Sequence, residues 1–520
     1  MTHMKLVTPK QMNEIDNNSI NKLGIPGVVL MERAALGVCD VVLRTLSDMK
    51  GKRVAIFAGK GNNGGDGFAL ARQLYTKGVF VKVCILSPCD MIKGDALINL
   101  NILKNLSVDI HELTEKDALS KAKEIIEASD IVVDAIFGTG MKGEITGFIR
   151  DIVETINLSG KKVIAVDIPS GVDGSSGRVS GISISACKTV TFAYPKTGQV
   201  IHPGCEYTGE LVISDIGIPD KALEGVNIDS HLIDDQMVRD IIPERHMNTN
   251  KGDYGRILVV TGSTGMTGAG CLTAMSALRS GAGLLYIAAP KTLCSIYDCN
   301  ALEPVTIPLE DEGNGVLVRR AVPDILKMLE KADAAVVGPG LSTGGDVREV
   351  VEAIVENSNV PLVLDADALN VLSLDLSILK RLKAPAVLTP HPGEMARLTG
   401  ISVREIQERR LDVARDFAAK WGVTVVLKGS RTVVASHSGT LFINPSGNAG
   451  MATAGVGDVL SGIISGLAGQ EIDLLDAAVA GVYIHGCAGD EAQKMKGTYG
   501  LVAGDIVDKI PCVINRLQNL

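Results

Sequence analysis

Short apolar runs alternate with small-residue loops along the whole chain, and this rhythm predicts two α/β halves. In the first half, Lys52–Ala58 reads as a buried strand, Phe68–Lys77 as a helix and Val79–Leu86 as the next strand. Further strand signals lie at Ile131–Val133, Val163–Val166, Val190–Lys196 (which runs into a loop) and Leu211–Pro219. Residues 9–49 read as mostly helical, with a break near Pro26. In the second half, strands are expected at Ile257–Val260, Leu284–Ala289, Ala334–Val337, Pro361–Leu364, Val387–Pro390 and Thr424–Leu427. A small-residue helix is expected at Cys271–Ser280, and the spacing of Val459, Leu460, Ile463, Ile464 and Leu467 predicts a late helix. Between 220 and 250 the rhythm gives way to polar residues. The expected organisation is a domain over 1–225, a linker over 226–245 and a domain over 246–520, each a sheet covered on both faces by helices.

Composition narrows this picture. Hydrophobic residues make up 46% but aromatics only 3%, so Val, Ile, Leu and Ala must build the core, the palette of parallel sheets. With 51 basic against 60 acidic residues, the net charge of −9 argues against a nucleic-acid-coating protein. The ten cysteines show no C-x-x-C pair; they read as reduced, mostly buried thiols of a cytoplasmic protein. Residues 1–16 lack the apolar region of a signal peptide, and no uncharged apolar run reaches membrane-spanning length.

Strand ends carry the candidate chemistry, because in open α/β sheets the loops after the carboxyl ends line the ligand crevice. After residue 58 comes Gly59-Lys60-Gly61-Asn62-Asn63-Gly64-Gly65-Asp66-Gly67, which lacks the Lys-Ser/Thr of a P-loop and departs from the dinucleotide fingerprint. Its amides and backbone groups could hold a monovalent cation or a phosphate. Asp134-Ala135-Ile136-Phe137-Gly138-Thr139-Gly140, with Lys142-Gly143-Glu144 close behind, and Asp167-Ile168-Pro169-Ser170-Gly171-Val172-Asp173-Gly174 follow two more strands. Each aspartate alone could be a turn or helix cap. In the second half, Gly447 to Gly462 (GNAGMATAGVGDVLSG) reads as a loop feeding a helix, whose free N–H groups and dipole favour a phosphate. Asp458 would repel that phosphate, so its place at the junction suits a base acting on a hydroxyl beside it, or a helix cap.

GKGNNGGDG, DAIFGTG and AVDIPSGVDGSSG resemble the amino-terminal epimerase domain of bifunctional NAD(P)H-hydrate repair enzymes. GNAGMATAGVGDVLSG, DADALN and TPHPGEM resemble the dehydratase domain of the same family, of ribokinase-like fold, over about 246–515. The resemblance implies a Rossmann-like epimerase domain acting on the R and S forms at C6 of the hydrated nicotinamide ring. Asn62, Asn63, Gly64, Gly65, Asp66, Gly138, Thr139, Gly140, Met141, Lys142, Gly143 and Glu144 would bind the hydrate. Asn63, Asp134 and Ser170 would hold K⁺, and Asp167 would face the ring as acid/base, with Lys142 a weaker candidate. In the second domain, Ala269, Gly340, His391 and Asp458 would contact the hydrate. ADP would lie on Lys428, Gly429, Ser430, Arg431 and Thr432, and on Asn448, Ala449, Gly450, Met451, Ala452, Thr453, Ala454, Gly455, Val456 and Gly457. His391 and Glu394 could equally be turn and cap residues.

The implied reaction has Asp458 deprotonating the C6 hydroxyl, which attacks the terminal phosphoryl of ADP beside Mg²⁺; expelled phosphate leaves NAD(P)H, with AMP as co-product. Partners would be small molecules, with neither nucleic acid nor membrane, and self-association is expected. One rival is a kinase of a hydroxylated vitamin-like heterocycle, which would leave a stable phospho-product. The other is a non-catalytic nucleotide-binding scaffold, against which the intact Asn63, Asp134 and Asp167 weigh.

Overall fold

The computed structural model describes residues 4–48, 50–114, 118–141 and 143–519. The chain divides into two compact units, one spanning Lys5–Ile228 and the other built on Asp229–Leu520.

In the first unit, β1 (Arg53–Ala58), β2 (Phe80–Ile85), β3 (Asp109–Glu112), β4 (Ile131–Ala135), β5 (Lys162–Val166), β6 (Lys188–Phe192) and β7 (Glu210–Ser214) form a sheet in the order β3-β2-β1-β4-β5-β6-β7. Every pairing is parallel. Alternation along β1 sends Val54, Ile56 and Ala58 into one core, with helices α1 (Gly27–Leu46) and α2 (Asn62–Thr76), and Ala55 and Phe57 into a second core on the other face. Strands buried on both faces must be apolar throughout, which is why they were legible as continuous runs. The order reverses between β1 and β4, the kind of switch point at whose carboxyl ends open α/β sheets bind their ligands.

The second unit repeats the plan with β8 (Ser230–Leu232), β9 (Arg256–Val260), β10 (Leu284–Pro290), β11 (Val305–Leu309), β12 (Ala334–Val337), β13 (Leu362–Leu364), β14 (Ala386–Leu388), β15 (Thr424–Leu427), β16 (Val433–Ala435) and β17 (Leu441–Ile443). Their order is β8-β17-β16-β15-β14-β13-β12-β9-β10-β11, and β16 runs against its neighbours. Ile257 and Val259 face one core, Leu258 and Val260 the other. The switch point lies between β9 and β12. Helices α3 (Thr267–Arg279) and α5 (Val456–Ala468) cover this region, with α4 (Pro392–Thr399) following β14. A Cβ at Gly462 would sit 2.0 Å from Ser276 Oγ and 2.2 Å from the Thr273 carbonyl oxygen. The absent side chain therefore lets α5 lie directly on α3.

Several expectations are corrected. α2 starts at Asn62, not Phe68, and α3 at Thr267, not Cys271. The glycines of the first serve close packing rather than loop freedom: a Cβ at Gly64 would lie 1.9 Å from the Gly59 carbonyl oxygen. The span read as a linker, 226–245, carries secondary structure of its own. Ser230–Leu232 pairs with β17, and the helix Asp235–Ile241 buries Met237 and Val238. Interleaved acids (Asp229, Asp234, Asp235) hid these apolar positions. The cysteines are free thiols, but only Cys39, Cys84 and Cys487 are buried. Among the described residues no helix is long and apolar enough to cross a membrane.

Candidate functional site

In the second unit, five strand ends deliver the chemistry. Thr261 to Met266 leave β9, Gly338 to Gly340 leave β12, Asp365 leaves β13, Thr389 to His391 leave β14, and Lys428 leaves β15. Ser263 Oγ donates to the Gly340 carbonyl at 2.9 Å, and a Cβ at Gly340 would lie 3.3 Å from that of Ala269. Ala269 and Gly340 are thus brought together across the switch point. Gly455 caps α5 with φ of +85°, a conformation that favours glycine, and turns the chain so that Asp458 falls in the first helical turn.

Lys428 organises the charges. Its ammonium donates to Asp365 Oδ1 at 2.7 Å and lies 3.7 Å from Glu394 Oε2. Ser461 Oγ, on α5, donates to Asp365 Oδ2 at 2.6 Å. A Cβ at Gly457 would stand 3.3 Å from Lys428 Nζ, so a larger residue there would press on the ammonium. Burial opposes the charge of Asp365, yet Lys428 and the hydrogen bonds hold its carboxyl below the usual range. Burial likewise opposes the ammonium of Lys428, and Asp365 and Glu394 raise it above its ordinary value. Asp458 has the opposite fate: burial, then repulsion from Asp365, push it up to about 7 against the pull of Lys428. Among the described residues no hydrogen bond or ion pair engages its carboxylate, which leaves it available to a substrate.

His391 caps α4. Its Nδ1 accepts from the N–H groups of Gly393 (2.9 Å) and Glu394 (3.3 Å), while Glu394 Oε2 accepts from the His391 N–H (2.7 Å). The geometry gives both residues the cap role, and Nε2 of the half-exposed ring stands 3.4 Å from Glu394 Oε1. Burial and Lys428 push this imidazole down, so it is neutral at neutral pH.

The two expected nucleotide segments lie side by side. Arg431 donates to the Pro445 carbonyl at 2.6 Å, and the Asn444 N–H donates to Thr432 O at 2.9 Å. The buried Arg410 donates to the carbonyls of Leu427 and Lys428 at 3.0 and 3.2 Å beneath Gly429. Asn448 Oδ1 caps Gly450, and Ala452, Thr453 and Ala454 are exposed.

In the first unit, Asp134 is fully buried and accepts from Ser170 N–H (2.8 Å), Ser170 Oγ (2.7 Å) and Ile136 N–H (3.1 Å). Burial pushes it up to about 6 against these bonds. Asn63 is buried against Gly138, and both its amide atoms lack hydrogen-bond partners. Asn62, at the exposed start of α2, precedes Gly64, Gly65 and Asp66, which are buried. Burial and the nearby Asp167 raise Asp66 well above the carboxylate range. Thr139, Gly140, Met141, Gly143 and the exposed Glu144 form the rim after β4; Lys142 lies outside the described residues.

Asp167 adopts φ of +63°, strained for a non-glycine residue. Its carbonyl accepts from Gln199 Nε2 at 2.6 Å, and its Oδ1 accepts from Lys196 Nζ at 2.5 Å and Thr191 Oγ1 at 3.2 Å. Lys196, with a side chain only 1% exposed, was missed by sequence reasoning. A lone lysine after an apolar strand gives no signal of its own. Asp16, from the helix Pro9–Asn17, joins this group: burial raises it to about 6 despite Lys196.

A family model described as NAD(P)H-hydrate dehydratase matches residues 257–512, and another, YjeF-related protein N-terminus, matches 27–198. The bifunctional NAD(P)H-hydrate repair enzyme of Moorella thermoacetica is 43% identical over 516 residues, spanning 99% of this chain and 97% of that protein. Its counterpart in Escherichia coli is 33% identical over 503 residues, spanning 96% and 92%. An ADP/ATP-dependent NAD(P)H-hydrate dehydratase from Bacillus subtilis, crystallised with ATP and Mg²⁺, is 31% identical and covers 55% of this chain and 98% of its own, with a TM-score of 0.47.

Proposed function

The chain belongs to the family of bifunctional NAD(P)H-hydrate repair enzymes, with an epimerase and a dehydratase domain for hydrated NAD(P)H, and we propose that Asp458 and Asp167 carry its two reactions. The observation that carries the first assignment is the unpartnered Asp458 carboxyl, raised to about 7 beside Lys428 at the glycine-lined start of α5. A base must be ionised near neutrality yet bind a proton well, and a value near 7 meets both demands. Asp458 takes the proton of the C6 hydroxyl as that oxygen attacks the terminal phosphoryl of ADP, and AMP leaves. The ring nitrogen then expels phosphate from C6, and loss of the C5 proton restores the dihydronicotinamide. N–H groups of Ala454 to Gly457 and the Lys428 ammonium face the transferred charge.

Among the described residues no cluster of three or more His, Cys, Asp or Glu could cage a metal. Asp365 and Glu394 are already committed to Lys428 and the α4 cap, so Mg²⁺ fits as a companion of the nucleotide phosphates. When bound, it neutralises phosphate charge. In the first unit the orphaned amide of Asn63 fits a K⁺ shared with Asp134 and Ser170. That cation would supply positive charge beside the hydrate. Asp167, steadied by Lys196 and Gln199, moves the proton needed to invert the carbinolamine carbon.

The test is absorbance recovery from hydrated NADPH with ADP and Mg²⁺. Asp458→Asn is expected to lose about 10²–10⁴ in rate while the chain still interconverts the hydrate epimers. Wild-type turnover by this variant overturns the assignment of the base.

A further inference from the structure

Helix α6 (Leu474–Gly500) supplies no residue to the chemistry above, yet it grips both ends of the loop that precedes Asp458. At the loop entrance, Asp490 Oδ2 accepts from the Gly447 N–H at 3.0 Å and Oδ1 from the Asn448 amide at 2.9 Å. At the exit, His485 Nε2 meets the Val456 carbonyl oxygen at 3.0 Å, two residues ahead of Asp458. Burial pushes this imidazole down to about 4, so it is neutral. A neutral ring has one N–H, and the carbonyl contact assigns it to Nε2. Between the two grips the helix surface is hollowed. A Cβ at Gly486 would strike Ser446 Oγ at 2.2 Å, and one at Gly489 would strike Met451 Sδ at 2.3 Å. The loop lies in this hollow, while Ala452 to Ala454 at its crest are exposed.

We propose that His485 and Asp490 are positioning residues that hold the 447–456 loop in its binding conformation before the nucleotide arrives. Asp490 governs the nucleotide's hold and His485 the placement of the base. This rests on reading 448–457 as the nucleotide loop and Asp458 as the base. Backbone donors aimed in advance bind an anion without ordering cost at the moment of binding. Losing a grip should therefore show in a different kinetic constant at each end. Asp490→Ala frees the entrance, and the expected effect is a 10- to 100-fold rise in Kd and KM for ADP with kcat within about twofold. His485→Leu frees the exit, and the expected effect is a fall of at least fivefold in kcat with a smaller change in Kd. His485→Gln, whose amide N–H can reach the same carbonyl, should recover most of kcat; a merely space-filling histidine would be rescued as well by Leu.

The experiment measures ADP binding by calorimetry and steady-state kcat and KM with hydrated NADPH, on the full chain. Emission of Trp421, the sole tryptophan, reports whether the second unit is folded. Folded variants with wild-type Kd and kcat overturn the proposal while leaving the nucleotide reading intact. A wild-type chain that binds neither ADP nor ATP overturns the reading beneath it. Should Asp490→Ala perturb Trp421, the isosteric Asp490→Asn, whose side chain has only one acceptor oxygen for the two contacts, takes its place; an unchanged Kd there overturns the entrance grip, and a raised Kd supports it.

Discussion

The partly buried Lys428 and the fully buried Asp365 form an ion pair, 2.7 Å apart, and the second site is balanced on them. One ammonium stands among three carboxyl groups: Asp365 bonds it, Glu394 lies at 3.7 Å, and Asp458 makes no contact with it among the described residues. The pair settles the charge of Asp365 and leaves Asp458 to bear the residual repulsion together with its own burial.

The first consequence is a pH profile. Asp458 accepts a proton only when ionised, so kcat/KM for dehydration should climb about tenfold per pH unit below about 7 and level above it. Stability runs the other way. A carboxyl with a folded value near 7, against 3.8 in a free chain, favours folding at low pH, and that contribution is lost as pH rises through 7. Asp458→Asn should therefore melt higher than wild type, with a margin that grows from pH 4 to 7. A margin independent of pH, followed by Trp421 fluorescence, would refute the raised carboxyl.

The second concerns the ion pair itself. Lys428→Met leaves Asp365 buried without its counter-charge, and breaking such a pair costs about 3–5 kcal/mol. Adding Asp365→Asn removes the orphaned charge and should return much of that stability without restoring dehydration. Urea unfolding of the single and double variants measures both. If the double variant is no more stable than Lys428→Met alone, the pair is not the source of the loss.

How much of this was legible in the sequence follows from what each residue does. Runs such as KRVAIFA and RILVV announced the sheets because both their faces are buried, and the polar loops after them marked the crevice. Asp458 could be placed at its junction from glycine and small-residue spacing. Lys196 and the Asp365–Lys428–Ser461 set could not: their partners stand 29 and 63 positions apart, and Ser461 lies 96 from Asp365. Only register and helix packing bring them together. His391 shows the reverse limit, since a residue that caps a helix and one that could touch a ligand leave the same trace in a sequence.

In the first unit, Lys196→Met removes the buried partner of Asp167, and hydrate epimerisation should fall by about 10² or more while dehydration of the correct epimer by the same chain persists. Lys196→Arg keeps the charge but cannot reproduce the contacts to Asp167 Oδ1 (2.5 Å) and Thr191 Oγ1 (2.9 Å), so it should restore activity only in part. Following the two epimers by NMR decides it. Undiminished interconversion in Lys196→Met would remove Lys196 from the site.

Asn63 supplies the last test. A buried amide without partners is costly, about 1–3 kcal/mol for each orphaned group, and is retained where something else satisfies it. If K⁺ bridges Asn63 Oδ1 to the Asp134–Ser170 pair, it binds the folded unit alone and stabilises it by mass action. At about ten times its Kd it would add roughly 1.4 kcal/mol, or about 3–6 °C for a unit of this size. Calorimetry of the full chain in KCl against tetramethylammonium chloride should raise one transition and leave the other in place. Asn63→Leu, which fills the space without polar atoms, should abolish the shift and need not lower the baseline melting point. Two transitions that ignore the cation in the wild-type chain would end the potassium reading and leave the orphaned amide to ordered water.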